Sequence, residues 1–129
     1  MIPSLLSWSG WALVLLRVVY GALFFIHGVP KLKNLKGTNA WFDSVGFKPG
    51  VFWGTLVALL EVVGGAFLVF GLWVQPIALL LVIQMVVGTF WKISQKQKFA
   101  GGWELDLILA AAGLVLATLG GGMYAMSAF

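Results

Sequence analysis

The chain has 129 residues, 61% of them hydrophobic and 9% charged, with a net charge of +4 and a mean hydropathy of +1.03. A soluble domain carries about 25% charged residues, so eight basic and four acidic side chains are too few to cover a water-facing surface, and lipid must be the solvent for most of it. The absence of cysteine excludes disulfides, thiolate metal sites, iron–sulfur clusters and any thiol relay within the chain.

A helix that crosses lipid needs about 20 mostly apolar residues, and four segments qualify. The first runs from about residue 8 to 29 and is expected to stop at Gly28-Val29-Pro30, because proline cannot continue a helix. No cleavable signal peptide is expected: no basic n-region precedes this run, which is too long for an h-region. Residues 30–50 form a longer loop in which Trp41, Phe42 and Phe47 mix with turn formers. It reads either as a short amphipathic or re-entrant piece in the interface or as an ordinary connection. The second helix covers about 51–73. The third, about 76–93, opens at Pro76, a favoured first helical position. Its connection to the second is so short that the two must be antiparallel neighbours. The fourth covers about 103–122 and ends in Gly120-Gly121-Gly122.

Trp8, Trp11, Trp53, Trp73, Trp91 and Trp103 all fall near predicted helix ends, as an aromatic belt requires. Lys31, Lys33, Lys36 and Lys48 lie in the first loop and Lys92, Lys96 and Lys98 in the third, with no Lys or Arg in the other connections. The positive-inside rule puts both basic loops in the cytoplasm, where the lysines meet anionic head groups rather than nucleic acid. The predicted fold is therefore all-α: a single transmembrane domain over 1–129, a four-helix bundle with short loops and both termini outside. On the fourth helix Asp106, Ala110, Gly113, Ala117 and Gly120 share one face, which suits close helix packing.

The informative residues are the polar ones in apolar surroundings. Arg17, Glu61 and Gln84 lie near the centres of the first three helices, where a charge costs about 2.5–3.5 kcal/mol unless it faces the bundle interior. Their depth suggests an Arg17–Glu61 fork at mid-membrane completed by Gln84. Such a pair acts either as a lock on helix register or as a proton or substrate site. Nearer the basic loops, His27 and Lys31 share one side of the first helix, while Glu104 and Asp106 open the fourth. The carboxylates suit a helix N-terminus by dipole alone. The alternative is a polar mouth of His27, Lys31 and Glu104, with His27 as proton carrier or as a simple interfacial hydrogen bonder. With one histidine and no cysteine, neither a metal site nor haem is expected.

Arg17 to Leu32, with its arginine, Gly21, aromatics, His27-Gly28 and Lys31-Leu32, resembles the opening motif of DoxX-type membrane proteins. Glu61 followed by Gly64-Gly65 and Gly71-Leu72 is similar to that family's second-helix signature, and Gly101-Gly102-Trp103-Glu104 before a Leu/Ala-rich helix to its fourth. Family members often close with a Gly-Pro-Gly and a Ser-Leu-Asp-like stretch, whereas Met123 to Phe129 here is apolar. The resemblance implies a four-helix inner-membrane protein related to small-subunit-like proteins of thiosulfate:quinone oxidoreductases and to membrane-associated redox complexes. It points to Arg17, His27, Lys31, Glu61 and Glu104.

Three functions follow as expectations. In a quinone-linked oxidoreductase subunit, Arg17 would polarise a quinone oxygen, and Glu61 or His27 would move protons; Lys31, Gln84 and Glu104 would complete the polar interior. Electrons would then come from a redox protein partner or a substrate. A non-catalytic scaffold for a redox enzyme is the second. The third is a small transporter or lipid-binding protein, which with four helices would need a homo-oligomer.

Overall fold

The computed structural model describes residues 2–122 and 124–126. Of the apolar tail, Met123 and residues 127–129 lie outside them. Inside lipid every backbone N–H and C=O must find its partner within the segment, which leaves long apolar runs one regular solution, the α-helix. Among the described residues four helices are long and apolar enough to cross a membrane: Ser9–Lys33, Gly50–Phe70, Val74–Ser94 and Phe99–Leu119. In chain order the elements are α1 (Pro3–Leu6), α2 (Ser9–Lys33), α3 (Leu35–Ser44), α4 (Gly50–Phe70), α5 (Val74–Ser94) and α6 (Glu104–Leu119). Ala100 and Gly101 leave helical geometry just before α6, Gly101 at φ +78°.

Two boundaries differ from expectation for identifiable reasons. α2 runs through Pro30 to Lys33 instead of stopping at Val29. Proline there forfeits one hydrogen bond in the last turn, while the Asn34 N–H still reaches the Pro30 carbonyl at 3.2 Å and the Thr38 hydroxyl donates to the Lys31 carbonyl. α4 stops at Phe70, three residues early, because Gly71 takes φ +76°. Leu72 N donates to the Phe67 carbonyl at 2.8 Å and Gly71 N to that of Leu68 at 3.2 Å, a Schellman closure.

The first loop is largely helical. Asn34 Oδ1 accepts from Gly37 N at 3.1 Å to start α3, and Asp43 Oδ1 accepts from Gly50 N at 2.7 Å, tying its end to the first turn of α4. None of α3's residues is buried, so it lies on the outside of α4.

α2 packs chiefly on α4, and α5 on α6. The α2–α4 crossing is set by glycines: a Cβ on Gly21 would lie 2.5 Å from the Gly65 carbonyl oxygen, and one on Gly28 would lie 2.8 Å from Glu61 Cβ. On α6 the buried face is Asp106, Ala110, Gly113 and Leu116, as the small-residue spacing predicts, with Ala117 half-buried beside it. The core gathers Tyr20, Phe24, Leu68, Val74, Ala78, Leu81 and Leu116. Tyr20 Oη donates to the Leu109 carbonyl at 2.8 Å, joining α2 to α6. Outward faces carry large apolar side chains such as Leu15, Ile26, Ile83, Phe90 and Leu119, a surface suited to acyl chains.

Gly21→Val should force α2 and α4 apart and lower stability by about 1–3 kcal/mol, measured by thermal unfolding in detergent. Val19→Leu on the exposed face should stay within about 0.5 kcal/mol of the parent. Equal effects would show that the helices do not cross at Gly21.

Candidate functional site

Glu61 sits in a π-helical turn, Leu60–Gly64, inside α4. Such a turn re-aims a side chain within a helix and recurs at functional sites. The carboxylate is 2% exposed and has three polar contacts. Lys31 Nζ donates to Oε1 at 2.5 Å and to Oε2 at 3.0 Å, and Gln84 Nε2 donates to Oε2 at 2.9 Å. Gln84 Oε1 is buried with no hydrogen-bond partner among the described residues. α2, α4 and α5 are therefore joined through one carboxylate.

A second ion pair stands nearby. Asp106, 9% exposed in the first turn of α6, meets Lys92 of α5 at 3.1 Å through Oδ2. Gln84, Gly88 and Lys92 are four residues apart and share one stripe of α5. Gln84 serves Glu61 and Lys92 serves Asp106. Gly88 between them leaves room for Asp106, since a Cβ there would lie 3.2 Å from Oδ2.

Between the two pairs lies a cavity of about 150 Å³ with Glu61, Lys31, His27 and Asp106 on its polar side and Phe24, Met85 and Leu109 among its apolar walls. Phe24, His27 and Lys31 come from one face of α2. Leu23 and His27 also line an apolar groove of about 440 Å³ along α2, with Val18, Val19, Ala22 and Ile26. The exposed His27 thus stands where cavity and groove meet.

The Arg17–Glu61 fork does not form. Arg17 Nη1 instead donates to the carbonyls of Val69 at 2.8 Å and Leu68 at 3.2 Å, capping the C-terminal end of α4. The helices run antiparallel, and their glycine contacts set Glu61 opposite Gly28 and Arg17 opposite the end of α4. About seven residues separate these levels on α4, roughly 10 Å along the axis. Similar distance from the membrane surfaces was thus a poor guide to partnership. Arg17 belongs to helix capping and does not line the cavity.

Glu104 is likewise outside: its Oε1 accepts from Gly101 N at 2.8 Å, closing the turn that starts the last span, and the residue is exposed. His27, Lys31 and Glu61 do come together, with Gln84 behind Glu61. Sequence reasoning missed Asp106 as a cavity residue and Lys92 as its partner. Their signal was available, since an acid on the small-residue face of α6 cannot point to lipid.

The family model described as DoxX matches residues 12–92 of the chain. A Bacillus subtilis (strain 168) protein named "Putative oxidoreductase CatD" is 31% identical over 116 residues, covering 90% of this chain and 84% of that relative. No solved structure matches.

Lys31→Met leaves Glu61 buried without its cation and should destabilise the fold by about 3 kcal/mol, the lower end of the usual range because the Lys31 side chain keeps 36% of its surface exposed. Lys31→Met combined with Glu61→Met should recover most of that loss. Denaturant titration in detergent measures both, and additive losses would rule out the pair.

Proposed function

The chain belongs to the DoxX family, and from that premise we propose that it is a quinone-linked redox subunit of a bacterial inner membrane, with the Lys31–Glu61 cavity as its ring-binding site. The observation that carries this reading is a small ion-paired cavity sharing Leu23 and His27 with an apolar groove. A head group would take the cavity and an isoprenoid tail the groove. At about 150 Å³ the cavity falls below the ~300 Å³ of ordinary ligand pockets, so it suits a single ring or smaller.

The bound ring would supply two-electron carbonyl–hydroxyl chemistry; the chain supplies position and protons. Lys31 Nζ, held by Glu61, presents an ammonium to a ring oxygen. Glu61 keeps that ammonium in place while Gln84 fixes the carboxylate from the other side. His27, at the cavity mouth and exposed, exchanges protons with the surroundings. Phe24, Met85 and Leu109 exclude water from the apolar side. Electrons come from a partner protein or a reduced substrate, of which a sulfur oxyanion or thiol is one class. The name of the B. subtilis relative supports the oxidoreductase reading. The lysine-rich loops face the cytoplasm and contact anionic lipid.

Quinone should co-purify with the wild-type protein from mild detergent. Glu61→Gln should lose it together with quinone-reductase activity, by at least about tenfold, since the amide no longer anchors Lys31. Extraction and chromatography of the bound lipid fraction check the first, and anaerobic quinone-reduction assays the second. Undiminished quinone content and activity in Glu61→Gln would contradict the assignment.

A further inference from the structure

A redox-active ring asks different things of its walls in its two states. A carbonyl oxygen needs a donor, whereas a hydroxyl can give its proton to an acceptor. The ionisable lining of the cavity is Glu61, Asp106, Lys31 and His27. Its one ammonium, Lys31 Nζ, is directed at both oxygens of Glu61, and Glu61 is in turn filled by Lys31 and Gln84. Asp106 differs. Lys92 engages its Oδ2 from α5, and among the described residues no hydrogen bond reaches Oδ1. Its side chain is 12% exposed, and the residue lines the cavity. Paired with the Lys92 ammonium, the carboxylate offers its second oxygen as an acceptor.

Resting on the quinone-type reading of this cavity, we propose that it binds the reduced, dihydroxylated ring in preference to the oxidised ring, with Asp106 Oδ1 accepting a ring hydroxyl. The two walls then have separate duties. Lys31 and Glu61 on the α2–α4 side seat one ring oxygen, and Asp106 on α6 distinguishes the redox state through the other. Tighter binding of the reduced form also raises the midpoint potential of the bound couple, by about 30 mV for each tenfold in affinity. The chain would thus favour quinone reduction at this site and retain the product until lipid exchange releases it through the groove.

The test is anaerobic titration calorimetry of the full chain in lipid nanodiscs, with a short-chain benzoquinol and the matching benzoquinone. The wild type should bind the quinol about tenfold more tightly, the worth of one hydrogen bond to a charged group. Asp106→Asn, whose amide donates as well as accepts, should bind both forms with a ratio near one. Equal affinities in the wild type, or tighter binding of the quinone, would overturn the preference while leaving the quinone reading intact. Failure of the wild type to bind either form would overturn that reading and the preference with it. The wild-type ratio needs no variant, so a misfolded Asp106→Asn protein leaves the decision unchanged.

Discussion

A carboxylate removed from water into an apolar bundle must be given cations and donors, because its desolvation otherwise costs several kcal/mol. Glu61 receives both from separate helices, Lys31 from α2 and Gln84 from α5. The rest of the site follows from that arrangement. The ammonium of Lys31 is drawn inward from the end of α2 and becomes a cavity wall. The helix carrying Glu61 adopts a π-helical turn where the side chain leaves it, and Gly28 leaves α2 room for the Glu61 Cβ and Val62.

Polar side chains at the two ends of the bundle serve different purposes. At the end away from the lysine-rich loops they satisfy backbone: Arg17 takes the last carbonyls of α4, and Gln75 Nε2 takes those of Ala117 and Thr118 at the end of α6, both at 3.1 Å. This is the requirement that orphan helix carbonyls be met in a medium without water. At the other end side chains pair with side chains, Lys31 with Glu61 and Lys92 with Asp106, and a cavity remains between the pairs. The first arrangement fixes helix ends. The second leaves ionisable groups facing a space that a ligand can enter.

Much of the bundle was legible because transfer to lipid is a property of residue type summed along the chain. Hydropathy and the tryptophans located four spans to within a few residues, and the glycine and alanine spacing identified the packed face of α6. Partnership was not legible in the same way. Which residues of two antiparallel helices meet depends on register, and register here is set by backbone contact at Gly21, Gly65 and Gly28. Depth alone therefore paired Arg17 with Glu61, although Lys31 is the residue that arrives. The proline-stop rule counts one lost hydrogen bond at Pro30 and not the contacts that hold the following turn. The helix dipole suits an acid at position 106 but says nothing about the direction of its side chain. For the family signature the lesson is similar: the chain presents His27, Lys31, Glu61, Arg17 and Glu104 as one group, and only the first three share a cavity.

The account depends on Lys31, rather than Arg17, holding the charge of Glu61 within the bilayer. Solid-state NMR on the protein in lipid, with ¹⁵N-labelled Lys and Arg side chains and ¹³C-labelled glutamate, measures that contact directly. Strong dipolar transfer from Lys31 Nζ to Glu61 Cδ, with none from the Arg17 guanidinium, is the predicted result. Transfer from Arg17 to Glu61, with Lys31 silent, would contradict the site described above.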